Sequence, residues 1–133
     1  MELYILESIR TNNFTDPDMY SKITGVWQSI QARPEVANTV IFGVYHNYES
    51  NYKGDYDLSI ATSSFSTTNK LTISEQGYEI FKVDSSKDNG VFETWQRIWA
   101  LEENGELDRA YTFDFEKYDT NGEIEIYIAI NKA

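Results

Sequence analysis

Apolar and polar residues alternate from Phe113 to Ile130, and that period of two predicts a β-hairpin closed at Asn121-Gly122. The dipeptide supplies the positive φ angles that a tight hairpin turn needs. Along the second strand Ile124, Ile126, Ile128 and Ile130 share one face, while Glu123, Glu125, Tyr127 and Ala129 share the other. On the first strand Phe113 and Phe115 alternate with Asp114, Glu116 and Tyr118. Carboxylates and phenol rings are therefore expected together, opposite the isoleucines.

Upstream, Leu3 to Arg10 is a predicted strand. Apolar residues at Met19, Tyr20, Ile23, Val26, Trp27 and Ile30 predict an amphipathic helix, with Asp16 as N-cap and Pro17 at its first position. It ends before Pro34. Thr39 to Tyr48 and Asp55 to Ala61 are the next strands, followed by a polar crossing loop, Ser63 to Lys70, and a short extended piece, Leu71 to Ile73. Tyr78 to Val83 is a further strand. A second helix over 91–103 carries Phe92, Trp95, Ile98 and Trp99 on one side and stops at Asn104-Gly105.

Two halves repeat. Val26 to Ile30 (VWQSI) matches Thr94 to Ile98 (TWQRI), and Gly54 to Ala61 matches Gly122 to Ala129, both displaced by 68 residues. Setting Tyr45 to Glu49 against Phe115 to Asp119 places His46 opposite Glu116, and Ser59 falls opposite Tyr127. The fold class that follows is α+β: a tandem β-α-β-β repeat with pseudo-twofold symmetry. Half-units of about 1–63 and 70–133 share one antiparallel sheet, with two main helices across it and a cleft on the axis. Which sheet face the helices cover is open at this stage.

At 133 residues and 41% hydrophobic, the chain is a single domain, 1–133. The absence of cysteine excludes disulfides, thiolate metal sites and a cysteine nucleophile. With His46 the sole histidine, a transition-metal site would rest on carboxylates, so neither metal nor cofactor is expected. A formal charge of −11 repels phosphates and draws cations, which argues against direct nucleic-acid binding. No run approaches the roughly 20 apolar residues of a membrane span, and residues 1–10 lack the order of a secretory signal. The expected location is the cytoplasm. No G-x-S-x-G, P-loop or dinucleotide fingerprint occurs.

Five segments in order carry a family resemblance: Ile9 to Asn13, Val44 to Asp57, Trp95 to Trp99, Asp114 to Asp119 and Glu123 to Ile128. Together they resemble the GyrI-like effector-binding family, the small-molecule-binding domain also attached to bacterial AraC- and MerR-type transcription regulators. The resemblance implies the tandem fold and, in many members, a pocket between the halves for bulky, often cationic, aromatic compounds. It implies that an acid of the penultimate strand, here Glu116 in Glu116-Lys117-Tyr118, sits in that pocket, and it maps the last-strand tyrosine to Tyr127. No helix-turn-helix accompanies the domain, so a stand-alone member is expected, whose output would pass through a separate regulator protein.

A carboxylate in an aromatic cleft has its pKa raised by burial and gains from a cation that restores a partner. Each well-placed ring adds roughly 0.5–2 kcal/mol of cation-π attraction. The expected ligand site is Glu116 as counter-charge, with Tyr127, Trp99, Phe92, Tyr45 and Tyr118 as lining; Trp27 and Trp95 are assigned to core packing. The expected function is multidrug-type recognition of drug-like, amphipathic aromatic cations by a sensor or sequestering protein that is not an enzyme. Two alternatives stand beside it: a hydrolase using Glu116 as general acid or base beside Tyr127, and an acidic module docking on a regulator or gyrase. The edge of Leu3 to Arg10 offers a route to a homodimer.

Overall fold

The described residues, 1–75 and 77–131 of the computed structural model, form seven strands and two long helices in the predicted order. They are β1 (Glu2–Thr11), α1 (Met19–Gln31), β2 (Ile41–His46), β3 (Tyr56–Thr62), β4 (Lys70–Thr72), β5 (Tyr78–Lys82), α2 (Gly90–Glu103), β6 (Asp114–Tyr118) and β7 (Ile124–Ala129). A single 3-10 turn, Pro34–Val36, follows α1 where proline forbids further helix. The last two residues of the second half-unit, and Gln76, lie outside the description.

All strands join one antiparallel sheet in the order β4-β1-β3-β2-β6-β7-β5. β1-β3-β2 reads outward to inward as β5-β7-β6 does from the other side, so the pseudo-dyad passes between β2 and β6. The α+β tandem architecture is the one the repeat predicts. Its strand equivalences differ by one residue. With β3 laid on β7 at the displacement of 68, Leu58 falls on Ile126; Leu58 pairs with Tyr45 and Ile126 with Glu116. Tyr45, not His46, is therefore the symmetry mate of Glu116.

The hairpin corrects a second expectation. A two-residue turn centred on Asn121-Gly122 would pair Glu116 with Tyr127. Instead Tyr118 pairs with Ile124 across a five-residue loop, with Asp119 N–H bonded to Glu123 O and Gly122 N–H to Asp119 O. Only Gly122 takes a positive φ, +88°; Asn121 uses its side-chain oxygen to accept Glu123 N–H at 2.9 Å. Slipping an antiparallel register by one residue turns every side chain over. Glu116 thus lies beside Ile126, on the apolar face, and Tyr127 pairs with Phe115 on the other.

Both helices cover the isoleucine face. Val26 and Ile30 of α1 pack with Leu58 and Ile60, while Trp95 and Ile98 of α2 pack with Ile126, Ile128 and Phe81. The opposite face buries Phe42, Val44 and Phe115 under Leu3, Leu71 and Ile73. α1 begins two residues later than predicted, with Asp18 at the N-cap position, because Asp16 makes other bonds: its carboxylate accepts Thr11 Oγ1, Lys22 Nζ and Asp18 N–H. β1 is not a free edge at its start, where β4 pairs with Glu2–Tyr4; β5 is the outermost strand on the other side.

Candidate functional site

Glu116 sits at the middle of the sheet, on β6 directly beside the dyad, and it is 2% exposed. Three side chains donate to its carboxylate: Tyr45 Oη at 2.8 Å, Trp95 Nε1 at 2.7 Å and Tyr118 Oη at 2.6 Å. Each comes from a different element, β2, α2 and β6. Burial pushes the Glu116 pKa up, and the bonds from Tyr118, Trp95 and Tyr45 offset only part of that rise. Among the described residues no basic side chain lies within ion-pair distance of it.

Aromatic rings wall the carboxylate on both sides. Trp27 meets Tyr118 edge-on at 4.9 Å between centroids, Tyr45 meets Trp95 at 5.1 Å, and Tyr45 lies 5.4 Å from Tyr56. The symmetry-related tryptophans, Trp27 and Trp95, thus flank one acid. An apolar cavity of about 520 Å³ adjoins this shell between Trp27, Ile30, Gln31, Val36, Ile41 and Tyr118. It gives the apolar body of a ligand room beside the charge.

Gly43 faces Glu116 across the β2–β6 ladder. A Cβ there would stand 3.1 Å from Trp27 Cζ2 and 3.3 Å from Glu116 Oε1, so the ring and the acid approach over a residue without a side chain. Gly43→Ala should cost about 1–2 kcal/mol in denaturant unfolding and alter the Trp27 emission, since the methyl displaces one of two packed groups.

Behind Trp95 stands a buried ion pair. Arg109 Nη2 lies 2.7 Å from Asp114 Oδ2, with both side chains almost fully buried, and the guanidinium lies 5.8 Å from the Trp95 ring centre. Asp114 also accepts Tyr48 Oη at 2.5 Å and Ala129 N–H at 2.8 Å. These bonds fix the start of β6 and the wall on which Trp95 rests.

The six residues expected to line one site fall into three places. Glu116, Tyr45 and Tyr118 are together. Tyr127 stacks on Phe115 at 4.5 Å on the opposite sheet face. Trp99 and Phe92 lie further out along α2, where Trp99 touches Trp95 at 6.5 Å and Phe92 is 54% exposed. Trp95 and Trp27, assigned to core packing, join the shell, and so does Tyr56 through its contact with Tyr45. The repeat marked the two tryptophans as symmetry mates, but only the fold brings both beside Glu116. His46 faces away, its Nε2 sharing a 2.7 Å hydrogen bond with Ser59 Oγ.

A family model described as Cass2, integron-associated effector binding protein, matches residues 8–130. The chain belongs to the Cass2 family of effector-binding proteins. Among solved structures, the Cass2 integron cassette protein from the mobile metagenome of Vibrio cholerae shares the fold with a TM-score of 0.81. It is 27% identical, and the match covers 98% of this chain and 90% of that one. No curated protein matches the chain significantly. Membership covers the whole β-α-β-β tandem from late β1 to the end of β7, so the Cass2 match includes every residue of the Glu116 shell. No helix among the described residues is long and apolar enough to cross a membrane.

Proposed function

We propose that the chain binds a bulky, flat aromatic cation in this cleft, as the GyrI-like resemblance implies, with Glu116 as counter-charge. One observation carries the reading: a buried carboxylate ringed by phenols and indoles, with three neutral donors and no cation of its own among the described residues. Neutral donors satisfy its lone pairs, but they leave a buried charge uncompensated. A ligand cation supplies what they cannot. Trp27, Trp95, Tyr45 and Tyr118 surround the same charge with rings that a flat cation can contact.

Entry runs through the apolar cavity. Tyr118 lines it and also bonds Glu116, so swinging that phenol aside joins the cavity to the carboxylate. The role is sensing or sequestration without turnover, coupled to a separate regulator.

The pH dependence of binding tests this reading. A cation prefers ionised Glu116, so binding releases a proton wherever the free carboxyl is still protonated. The affinity for N-methylacridinium, followed by tryptophan quenching, should therefore rise with pH through the raised Glu116 pKa, in a window that begins above the ordinary 4.5. Neutral 9-anthracenemethanol should show no such rise. In the free protein the sign reverses: a carboxyl whose folded pKa is raised contributes stability below its unfolded pKa, lost as pH climbs through the folded value. An affinity for the cation that is flat across this window contradicts the proposal.

A further inference from the structure

The symmetry-related ends of the two helices are built differently. The displacement of 68 carries Gln31, which lines the apolar cavity, onto Trp99 at the other end. There Trp99 stacks on Tyr52 with centroids 5.5 Å apart and planes 14° from parallel. Phe14 leans on both, at 5.9 Å from Tyr52 and 6.0 Å from Trp99, and Phe92 meets Trp99 edge-on at 6.2 Å. Phe14 is 56% exposed and Phe92 54%. Four rings from three separate stretches of chain thus form one aromatic platform open to solvent.

Two acids stand beside this platform, and Glu102 already pairs with Arg109 Nη1 at 3.5 Å, which leaves Glu103 with only an exposed lysine. α2 ends in Glu102-Glu103 with no basic residue in its last turn, although acids at a helix C-terminus oppose the macrodipole. Tyr52 Oη donates to Glu103 at 2.5 Å and Tyr111 Oη donates to Glu102, so phenols hold both acids beside the rings. The protein already seats a cation of its own here. Lys53 Nζ lies 5.6 Å from the Tyr52 ring centre and 3.8 Å from the Glu103 carboxylate, on a side chain that is 62% exposed.

We propose that Tyr52, Trp99, Phe14 and Phe92, with Glu103 beside them, form an outer site for flat aromatic cations, and that the ligand takes the place of the Lys53 ammonium. The ring face satisfies the stack, the positive charge satisfies Glu103 and the negative end of α2, and an exposed surface lysine is displaced at little cost. Trp99 also touches Trp95, whose Nε1 donates to Glu116, so the outer site borders the inner shell. It needs nothing from Glu116.

The test follows the Trp99 indole N–H by 1H–15N correlation during titration with N-methylquinolinium in the Glu116→Gln protein, with the resonance assigned by Trp99→Phe. A saturable shift is expected. Lys53→Met should tighten binding roughly two- to fivefold, and Glu103→Gln should weaken it by a similar factor. Neutral quinoline, above its own pKa, should bind more weakly than the cation. A merely structural lysine would not raise affinity when removed. The proposal is overturned by a Trp99 signal that does not move, by unchanged or weaker binding in Lys53→Met, or by quinoline binding as tightly as the cation. Should Glu116→Gln not fold, wild type serves, with the Trp95 N–H reporting the inner site; outer binding then moves Trp99 along its own saturation curve, and a single curve for both indoles overturns it. An inner site that fails while Trp99 titrates leaves the outer site standing.

Discussion

Glu116→Gln should lower the affinity for N-methylacridinium by roughly thirtyfold or more while leaving 9-anthracenemethanol binding within about twofold. Two effects compete for the ligand's binding energy, and their sizes decide the outcome. Each ring contact is worth roughly 0.5–2 kcal/mol and survives the substitution. Losing one partner of a desolvated charge pair costs about 2–5 kcal/mol. The variant itself should fold. The introduced amide keeps one acceptor, the tyrosine hydroxyls can rotate to accept from its NH₂ group, and the burial penalty on a charge disappears. Titration calorimetry on both proteins reads the two affinities, and an equal loss for the neutral ligand would mean that the shell had collapsed.

Arg109→Met should be the most damaging single change to stability. It leaves Asp114, 0% exposed, as a buried carboxylate without its cation, and breaking a buried pair in this way costs about 3–5 kcal/mol. For a domain of this size the midpoint of thermal unfolding should fall by more than about 10 °C. Asp114→Asn added to Arg109→Met should recover part of that loss, because the uncompensated charge goes while the amide oxygen still accepts Ala129 N–H and the Tyr48 hydroxyl can turn to accept from the NH₂ group. A fall of only a degree or two in Arg109→Met would mean that the pair contributes little beyond packing.

Much of the skeleton was legible because it is written twice. The displacement of 68 residues, read from VWQSI and TWQRI and from the strand that each half ends on, correctly implied one sheet with a dyad and two tryptophan-bearing helices. What failed was register, which periodicity alone does not fix. Asn121-Gly122 is the dipeptide of a two-residue turn, yet the chain places only Gly122 at positive φ and opens the loop to five residues. That difference of one position moved Glu116 under the helices and sent Tyr127 to the far face. The same parity error set His46, not Tyr45, against Glu116.

Of the candidate shell around Glu116, the acid and two of its phenols were named from the sequence. Trp27 and Trp95 were hidden because a tryptophan at helical spacing packs a core and lines a cleft with the same sequence pattern. Arg109 gave no signal at all: an isolated arginine after a helix stop looks solvated, and only the fold brings Asp114, Tyr48 and Trp95 around it.

A crystal structure of the complex with N-methylacridinium would decide whether Glu116 is the counter-charge of the cleft. Electron density for the ion is expected between Tyr45, Trp95 and Tyr118, its positive ring nitrogen nearest the Glu116 carboxylate, and the Tyr118 hydroxyl withdrawn from that carboxylate. An ion bound elsewhere, with Tyr45, Trp95 and Tyr118 all still donating to Glu116, would contradict that role.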